Sequence, residues 1–453
     1  MNPVRHRAIF LRHKREQGVT MLLVAFTLIA LIAMAALAID VASLYVARDE
    51  AQRAANAAAL AGAKMFVTSG FTTVAAASST DIMPSDVCVS SGPGSPAAAN
   101  RQAEAAAAQN LIAGQPATVQ SINCDFTPNN PKITVTVQRT GLPTFFAKIW
   151  GRSANTVGAS AIAEAYNPSG ASVPITITGV KPWLVPNCDP DTPGSCIANY
   201  FVDTTRNNNV NSGVSLIGRP ISLRRVSTSS FGTPGGGKFY MLDVPMDPAN
   251  TVCPSPSAVS CNYGSDSHDY MDNIACTSAY QFKCGDTIGP SGPGPGQHVT
   301  AFMATGYSAN TKLATRCLIH ASYDAPHQGQ DEIFPSTPVT IQGGGKNPDV
   351  SLQGALNISR SDSIVTVPLY AGGTLGTGPT KTCSGLGGTC GTSTTIIGFL
   401  QLGITQTVPA IGFGSSTYDF NAVILNVVGC PSGATATSSS PGNTSPVPVR
   451  LVH

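Results

Sequence analysis

Charge is scarce in this 453-residue chain: 26 Lys and Arg stand against 24 Asp and Glu, 11% of residues, for a net charge of +2. Ordinary globular proteins carry about 25%. A chain so weakly charged has no strong global field to draw in nucleic acid or an acidic partner, and nucleic acid is not expected among its ligands. Catalytic signatures are also missing. The sequence has no HExxH, no GxSxG and no CxxC. These absences remove the zinc-protease helix, the nucleophile elbow and the short-spaced thiolate zinc site. Cysteine itself is absent before Cys88, although the chain has twelve. A thiol-free start followed by a cysteine-rich remainder places that remainder in an oxidising compartment.

What the N-terminal region does contain is one long apolar run. VTMLLVAFTLIALIAMAALAI (Val19–Ile39) has no charge, and Thr20 and Thr27 are its only hydroxyls. At about 1.5 Å per helical residue it measures about 30 Å, the thickness of a bilayer's hydrocarbon core. Arg5, Arg7, Arg12, Lys14 and Arg15 precede it and Asp40 follows. That asymmetry predicts a single membrane crossing, with residues 1–18 as a cytoplasmic tail and everything after Asp40 outside. Two cleaved alternatives compete. Ala36-Leu37-Ala38 is an acceptable signal-peptide site, but the run is longer than the usual apolar core of such signals. A pilin-type leader cut after Gly18 would carry Glu at the fifth position, where this chain has Leu23.

The helical pattern continues outside the run. Asp40–Phe66 has no proline, and its only glycine is Gly62. Leu37, Val41, Leu44, Arg48, Ala51, Ala55 and Ala58 recur at three and four residues and are expected to share one face. Ala47, Ala51, Ala54, Ala55, Ala58 and Ala59 give the outer half a smooth surface. Its expected use is packing against the chain's own helix and sheet, the alternative being a partner helix.

This ordered set of features resembles TadG-like proteins of the Flp (tight adherence, Tad) pilus-assembly systems. The matching positions are a basic tail, Gly18, one apolar helix, Asp40, Tyr45, and Gln52 to Ala63, with Asn56 where the family usually has Asp. The resemblance extends less specifically to about residue 166, and again to SIVTVPLY and TIIGFLQLGIT. It implies a structural or accessory component of a pilus-assembly apparatus in the bacterial inner (cytoplasmic) membrane, with the bulk of the chain periplasmic or extracellular and pilus-assembly proteins as partners. Some TadG-like proteins carry a von Willebrand factor A insert with a metal-binding Asp-x-Ser-x-Ser. This chain shows none, so no metal site is carried over.

The cysteines suggest local staples. Cys188/Cys196, Cys253/Cys261, Cys276/Cys284 and Cys383/Cys390 form close pairs. A loop of about nine residues implies roughly 2–3 kcal/mol of chain-entropy stabilisation. Cys88 with Cys124, and Cys317 with Cys430, are the expected remaining pairs, although spacing alone does not fix connectivity.

Along the chain, Ser95-Pro96 is expected to open a helix through Ile112, with Gly114 as its stop. KITVTVQR (Lys132–Arg139) and Thr156–Tyr166 read as strands, with a short helix begun by Pro143 between them. Residues 40–166 thus form a helix plus a small α/β unit. Asn167–Gly170 marks a boundary, and residues 170–430 read as a β-rich domain, with strands expected at 173–178, 238–242, 298–304, 364–370, 394–405 and 422–428. Residues 431–453 read as a low-complexity tail, from which VRLVH could supply an edge strand. The fold class expected is α+β and membrane-anchored: a long transmembrane helix, a small α/β unit, then a larger disulfide-containing β domain.

Sites for chemistry are weak. GTPGGGK (Gly232–Lys238) lacks the GK[ST] ending of a phosphate loop. Asp266, His268, Asp269 and Asp272 lack the spacing of a calcium loop and read as a solvated acidic loop. His320 and His327 with Asp324, Asp331 and Glu332 could be drawn into an acid–base site, but such clusters are more often plain surface loops. The expectation is a non-enzyme without cofactor or metal. The rival readings are a membrane-anchored adhesin or carbohydrate-binding module and, behind it, an exported hydrolase.

Overall fold

The computed structural model describes residues 13–72, 84–127, 130–144, 146, 154–167, 176–191, 200–211, 216–225, 237–244, 268–277, 280–288, 300–302, 307–321, 329–335, 338–358, 360–372, 394–407, 419–430 and 447–452. It is an α+β structure on a long N-terminal helix. That helix, α1 (His13–Thr68), is continuous for 56 residues. No proline interrupts it, and it stops where Gly70 adopts φ +78°. A Cβ there would meet Ile217 Cγ2 at 2.1 Å and Leu425 O at 2.7 Å, so only glycine allows the chain to turn against its neighbours.

The outer half of α1 packs on a small unit made of α2 (Ala98–Gln109), β1 (Thr118–Asp125), β2 (Lys132–Pro143) and β3 (Ala154–Ala165). The three strands are antiparallel in sequence order. Ile133, Val135 and Val137 alternate onto the buried face, as their spacing predicts. Three local expectations change. α2 is preceded by Ala97 without a side-chain cap, because Ser95 lies two residues before the cap position and its hydroxyl accepts from Ala97 N. Leu111–Ile112 leaves the helix and pairs with Gln115–Pro116 across a turn with Ala113 at φ 48° and Gly114 at φ 74°. Pro143 ends strand β2 instead of beginning a helix.

The larger unit is a closed barrel. Its strands are β4 (Trp183–Pro186), β5 (Pro220–Arg225), β6 (Lys238–Asp243), β8 (Ile364–Tyr370), β9 (Thr394–Thr407) and β10 (Phe420–Gly429), with β7 (Thr300–Phe302) attached outside β6. The pairing runs β5-β10-β9-β8-β4-β6, and β6 returns to β5 in parallel register, Arg224 opposite Lys238. Closure removes the open edges that a sheet of this length would expose. β4 and β8 make the second parallel contact. Rings of Trp183, Phe239 and Phe420 meet at centroid distances of 4.4–5.9 Å. Helices α3 (His268–Ala275) and α4 (Tyr307–Leu318) pack beside the strands, and Tyr270 accepts a hydrogen bond from Trp183 Nε1 at 3.2 Å.

After the barrel the chain comes back. Strand β11 (Val449–Val452) joins the first sheet beside β3, Val449 opposite Ala165. Arg450 donates to the buried Glu164 carboxylate at 2.5 Å and lies 5.4 Å from the Tyr166 ring. The last residues of the expected tail are therefore part of the small unit. Residues 431–446 and 453 of that tail lie outside the described residues.

Candidate functional site: where the helix leaves its apolar run

Among the described residues α1 is the one helix long and apolar enough to cross a membrane, and its apolar window is almost wholly exposed. Val19, Met21, Leu22, Phe26, Leu31 and Met34 project outward from it. Lipid is the solvent that such a surface fits.

Just past the run the surface changes character. Asp40 is buried, and its Oδ2 accepts a hydrogen bond from Phe146 N at 3.0 Å. The Asp40 carbonyl accepts from Ser43 Oγ at 2.8 Å. The buried stripe then runs through Ala47, Ala51, Ala54, Ala55, Ala58, Ala59 and Ala63. Its phase differs from the expected one. Leu37, Val41 and Arg48 are exposed, while Ala36 and Asp40 take the inward positions. The hydrogen bond to Phe146 fixes that phase: turning Leu37 and Val41 inward would carry Asp40 away from its partner.

The alanines let the helix lie close on α2 and on β2–β3. Gly62 marks the tightest approach, since a Cβ there would fall 2.6 Å from Ile133 Cδ1 and 3.3 Å from Ala99 O. Polar tethers hold the edges. Gln52 donates to Asn56 Oδ1 and to Ser160 O at 3.0 and 3.2 Å, and Glu50 accepts from Ala113 N at 2.7 Å. The alanine surface is thus used within the chain, as expected.

The far end of α1 is locked to the barrel. Asn426 on β10 is fully buried; its Nδ2 donates to Val67 O and Gln401 Oε1, both at 2.6 Å, and its Oδ1 accepts from Thr72 Oγ1 at 2.9 Å. Asn167 adds bonds to Thr72 O and Val427 O. The helix, the small sheet and the barrel share one hydrophobic core.

Cys88 bonds Cys124, and Cys284 bonds Cys430. The second bond replaces two expected pairs: Cys284 is not joined to Cys276, nor Cys430 to Cys317. The reason is spatial, because barrel closure brings the strand after Cys284 to β9 and places the end of β10 beside it. Cys276 and Cys317 are both in disulfides and share a small buried cluster with Ala275. Cys188 is also disulfide-bonded. Its expected partner Cys196 lies outside the described residues, as do Cys253, Cys261, Cys383 and Cys390.

Of the residues considered for chemistry, those that are described lie in separate places. Asp272 belongs to helix α3, not to a loop, and Asp266 lies outside the described residues. His320 Nε2 lies 2.7 Å from Asp362 Oδ2. Asp331 faces a different set of partners: Gly344 N, Asn347 Nδ2 and Ser361 Oγ all donate to it. Glu332 starts a short strand, and Asp324 and His327 lie outside the described residues. Gly237, at φ +75°, enters strand β6 at Lys238 with no helix following. The described residues contain no group of three or more His, Cys, Asp or Glu able to hold a metal.

Lys181 is among the buried ionisable groups that escaped the sequence reading. It is fully buried, donates from Nζ to Cys276 O at 2.7 Å, and burial pushes its pKa down to about 7, with Asp362 opposing the shift. Its flanking Val180, Pro182 and Trp183 were the only hint that the position is internal.

No curated protein and no solved structure matches the chain. A family model does match: Flp pilus-assembly TadE/G-like, over residues 18–65. That interval covers the apolar run, Asp40 and the docked alanine stripe, so the part of this chain that leaves the apolar run and seats the outer units is similar to TadE/G-like Flp pilus-assembly proteins.

Proposed function

We propose that this chain is a single-pass inner-membrane component of a Flp pilus-assembly apparatus and acts structurally, without catalysis. The carrying observation is the TadE/G-like match over residues 18–65, on a helix that is apolar and exposed in one half and docked in the other. The basic flank before Val19 favours a cytoplasmic N-terminus, and the disulfides favour an oxidising compartment for the rest. In this reading α1 joins the membrane to a rigid outer body that other assembly proteins use as a fixed surface.

The test is cross-linking of the full chain in its native cells, followed by affinity capture and imaging of pili in a deletion strain. Capture of pilus-assembly proteins and loss of pili on deletion are expected. Normal pili with no assembly protein captured would overturn the reading. Binding to a glycan array under the same conditions would move the chain to the adhesin class.

A further inference from the structure

The outer units begin to cover α1 at the end of the apolar run, not beyond it. Ala36, inside the apolar run, is 6% exposed, and Asp40, the first residue after it, is 4% exposed. The chain that reaches this level follows β2: Thr144 is buried, and Phe146 N is bonded to Asp40. At 1.5 Å per residue Ala36 lies about 4–5 Å inside the end of the run, so no free stalk separates the span from the fold.

The opposite side of α1 at the same level stays apolar and open. Val41 is 42% exposed, Tyr45 71% and Val46 58%. Tyr45 lies about 9 Å beyond Ile39 along the axis, and a helical side chain leans back toward the N-terminus, so its ring points into the headgroup layer. An aromatic ring with one polar end is the side chain that this layer favours. Continuity with the lipid-facing surface of the run identifies the occupant: the lipid of the same bilayer.

We propose that the outer body rests directly on the lipid surface, with the chain at Thr144 and Phe146 on one side of α1 and the Val41–Tyr45–Val46 face on the other lying in the headgroup layer. The Asp40–Phe146 hydrogen bond then sets the depth of the helix. This rests on the reading that α1 crosses a membrane. It makes the body a collar seated on the bilayer, held at a fixed height by lipid as well as by the helix.

The test places a tryptophan at each contact, Tyr45→Trp and Phe146→Trp, in the full chain reconstituted in lipid discs without other proteins. Emission added over the parent protein is read with lipids brominated near the top of the acyl chains. A blue shift and a fall of about twofold are expected at both positions, with little effect of aqueous iodide. Asp40→Ala should weaken the effect at position 146 and leave that at position 45. Full iodide quenching at both positions, with no effect of brominated lipid in protein that remains in the disc, would overturn the proposal while leaving the anchor intact. Protein that fails to enter discs or co-float with vesicles would overturn both. Tyr45 is mostly exposed, so its variant reports even if the change at Phe146 disturbs folding.

Discussion

Gly62 on α1 and Ile133 on β2 approach so closely that a single added Cβ would sit 2.6 Å from Ile133 Cδ1. The two positions are far apart in the chain, yet together they set how near the helix lies to its sheet. Helix propensity alone would favour alanine by about 1 kcal/mol, and overpacking opposes it by about 1–3 kcal/mol. Gly62→Ala should therefore lower stability by about 1 kcal/mol. In an Ile133→Val background, which removes the clashing methyl, the same change should be neutral or stabilising. Urea unfolding of the four variants measures the coupling; simple additivity would show that the contact does not limit the packing.

Asn426 bonds Val67 on α1, Thr72 just past it and Gln401 on β9, and Asn426→Leu would remove all three bonds, although the Val67 carbonyl keeps its bond from Gly70 N. A typical buried hydrogen bond contributes about 0.5–1.5 kcal/mol and a buried group left unsatisfied costs about 1–3 kcal/mol, so a loss of about 2 kcal/mol or more is expected. Hydrogen exchange should locate it. The amides of Ser69 and Gly70, bonded to Met65 O and Val67 O, should lose protection before those of β2.

Lys181 should leave a signature in the pH dependence of stability. Its folded pKa is about 7 against 10.5 for the exposed side chain. Between those values the unfolded chain holds the proton and the folded chain does not, so this group makes stability rise with pH. Below about pH 7 both states are charged and its contribution is flat and least favourable. The urea midpoint of the wild type should rise more between pH 7 and 10 than that of Lys181→Met. Lys64 and Lys312 shift the same way but are present in both proteins and cancel in the comparison. Parallel profiles would mean that the ammonium is solvated.

Peptide mapping without reduction should recover 88–124 and 284–430 links, and no 276–284 or 317–430 link. Replacing Cys284 and Cys430 together by serine should cost about 2–5 kcal/mol, since the bond closes a long loop of the unfolded chain.

Local pattern made some elements readable and left others hidden. β2 was legible because Ile133, Val135 and Val137 keep a strict alternation. β1 was not: its buried Val119 and Ile122 are three apart, and a bulge between Val119 and Ser121 absorbs the extra residue. α4 hid behind Asn310, Thr311 and Thr315, poor helix formers that are tolerated because Thr311 and Thr315 are buried against the barrel side, Thr315 Oγ1 bonding Thr311 O. The Asp40 site was half visible. Its place at the end of the run could be read, but its partner Phe146 depends on the length of β2. The Cys284–Cys430 bond was hidden for the same reason, because it is set by two strands meeting after closure and not by distance along the chain.

The return of β11 to the first sheet has a consequence for the order in which the protein can be made. β3 has β2 on one side from early in synthesis, but its other edge waits for Val449–Val452, which leave the ribosome only after every strand of the barrel. The small sheet that packs on α1 is therefore completed only after the barrel strands. Throughout that interval β3 offers an unpaired edge able to accept a strand from another chain. Arg450, by reaching the buried Glu164 and the Tyr166 ring, favours the chain's own strand when it arrives. Completion thus runs from the barrel back to the sheet on α1, and a nascent chain that stalls late in synthesis would hold the barrel strands beside an open sheet edge.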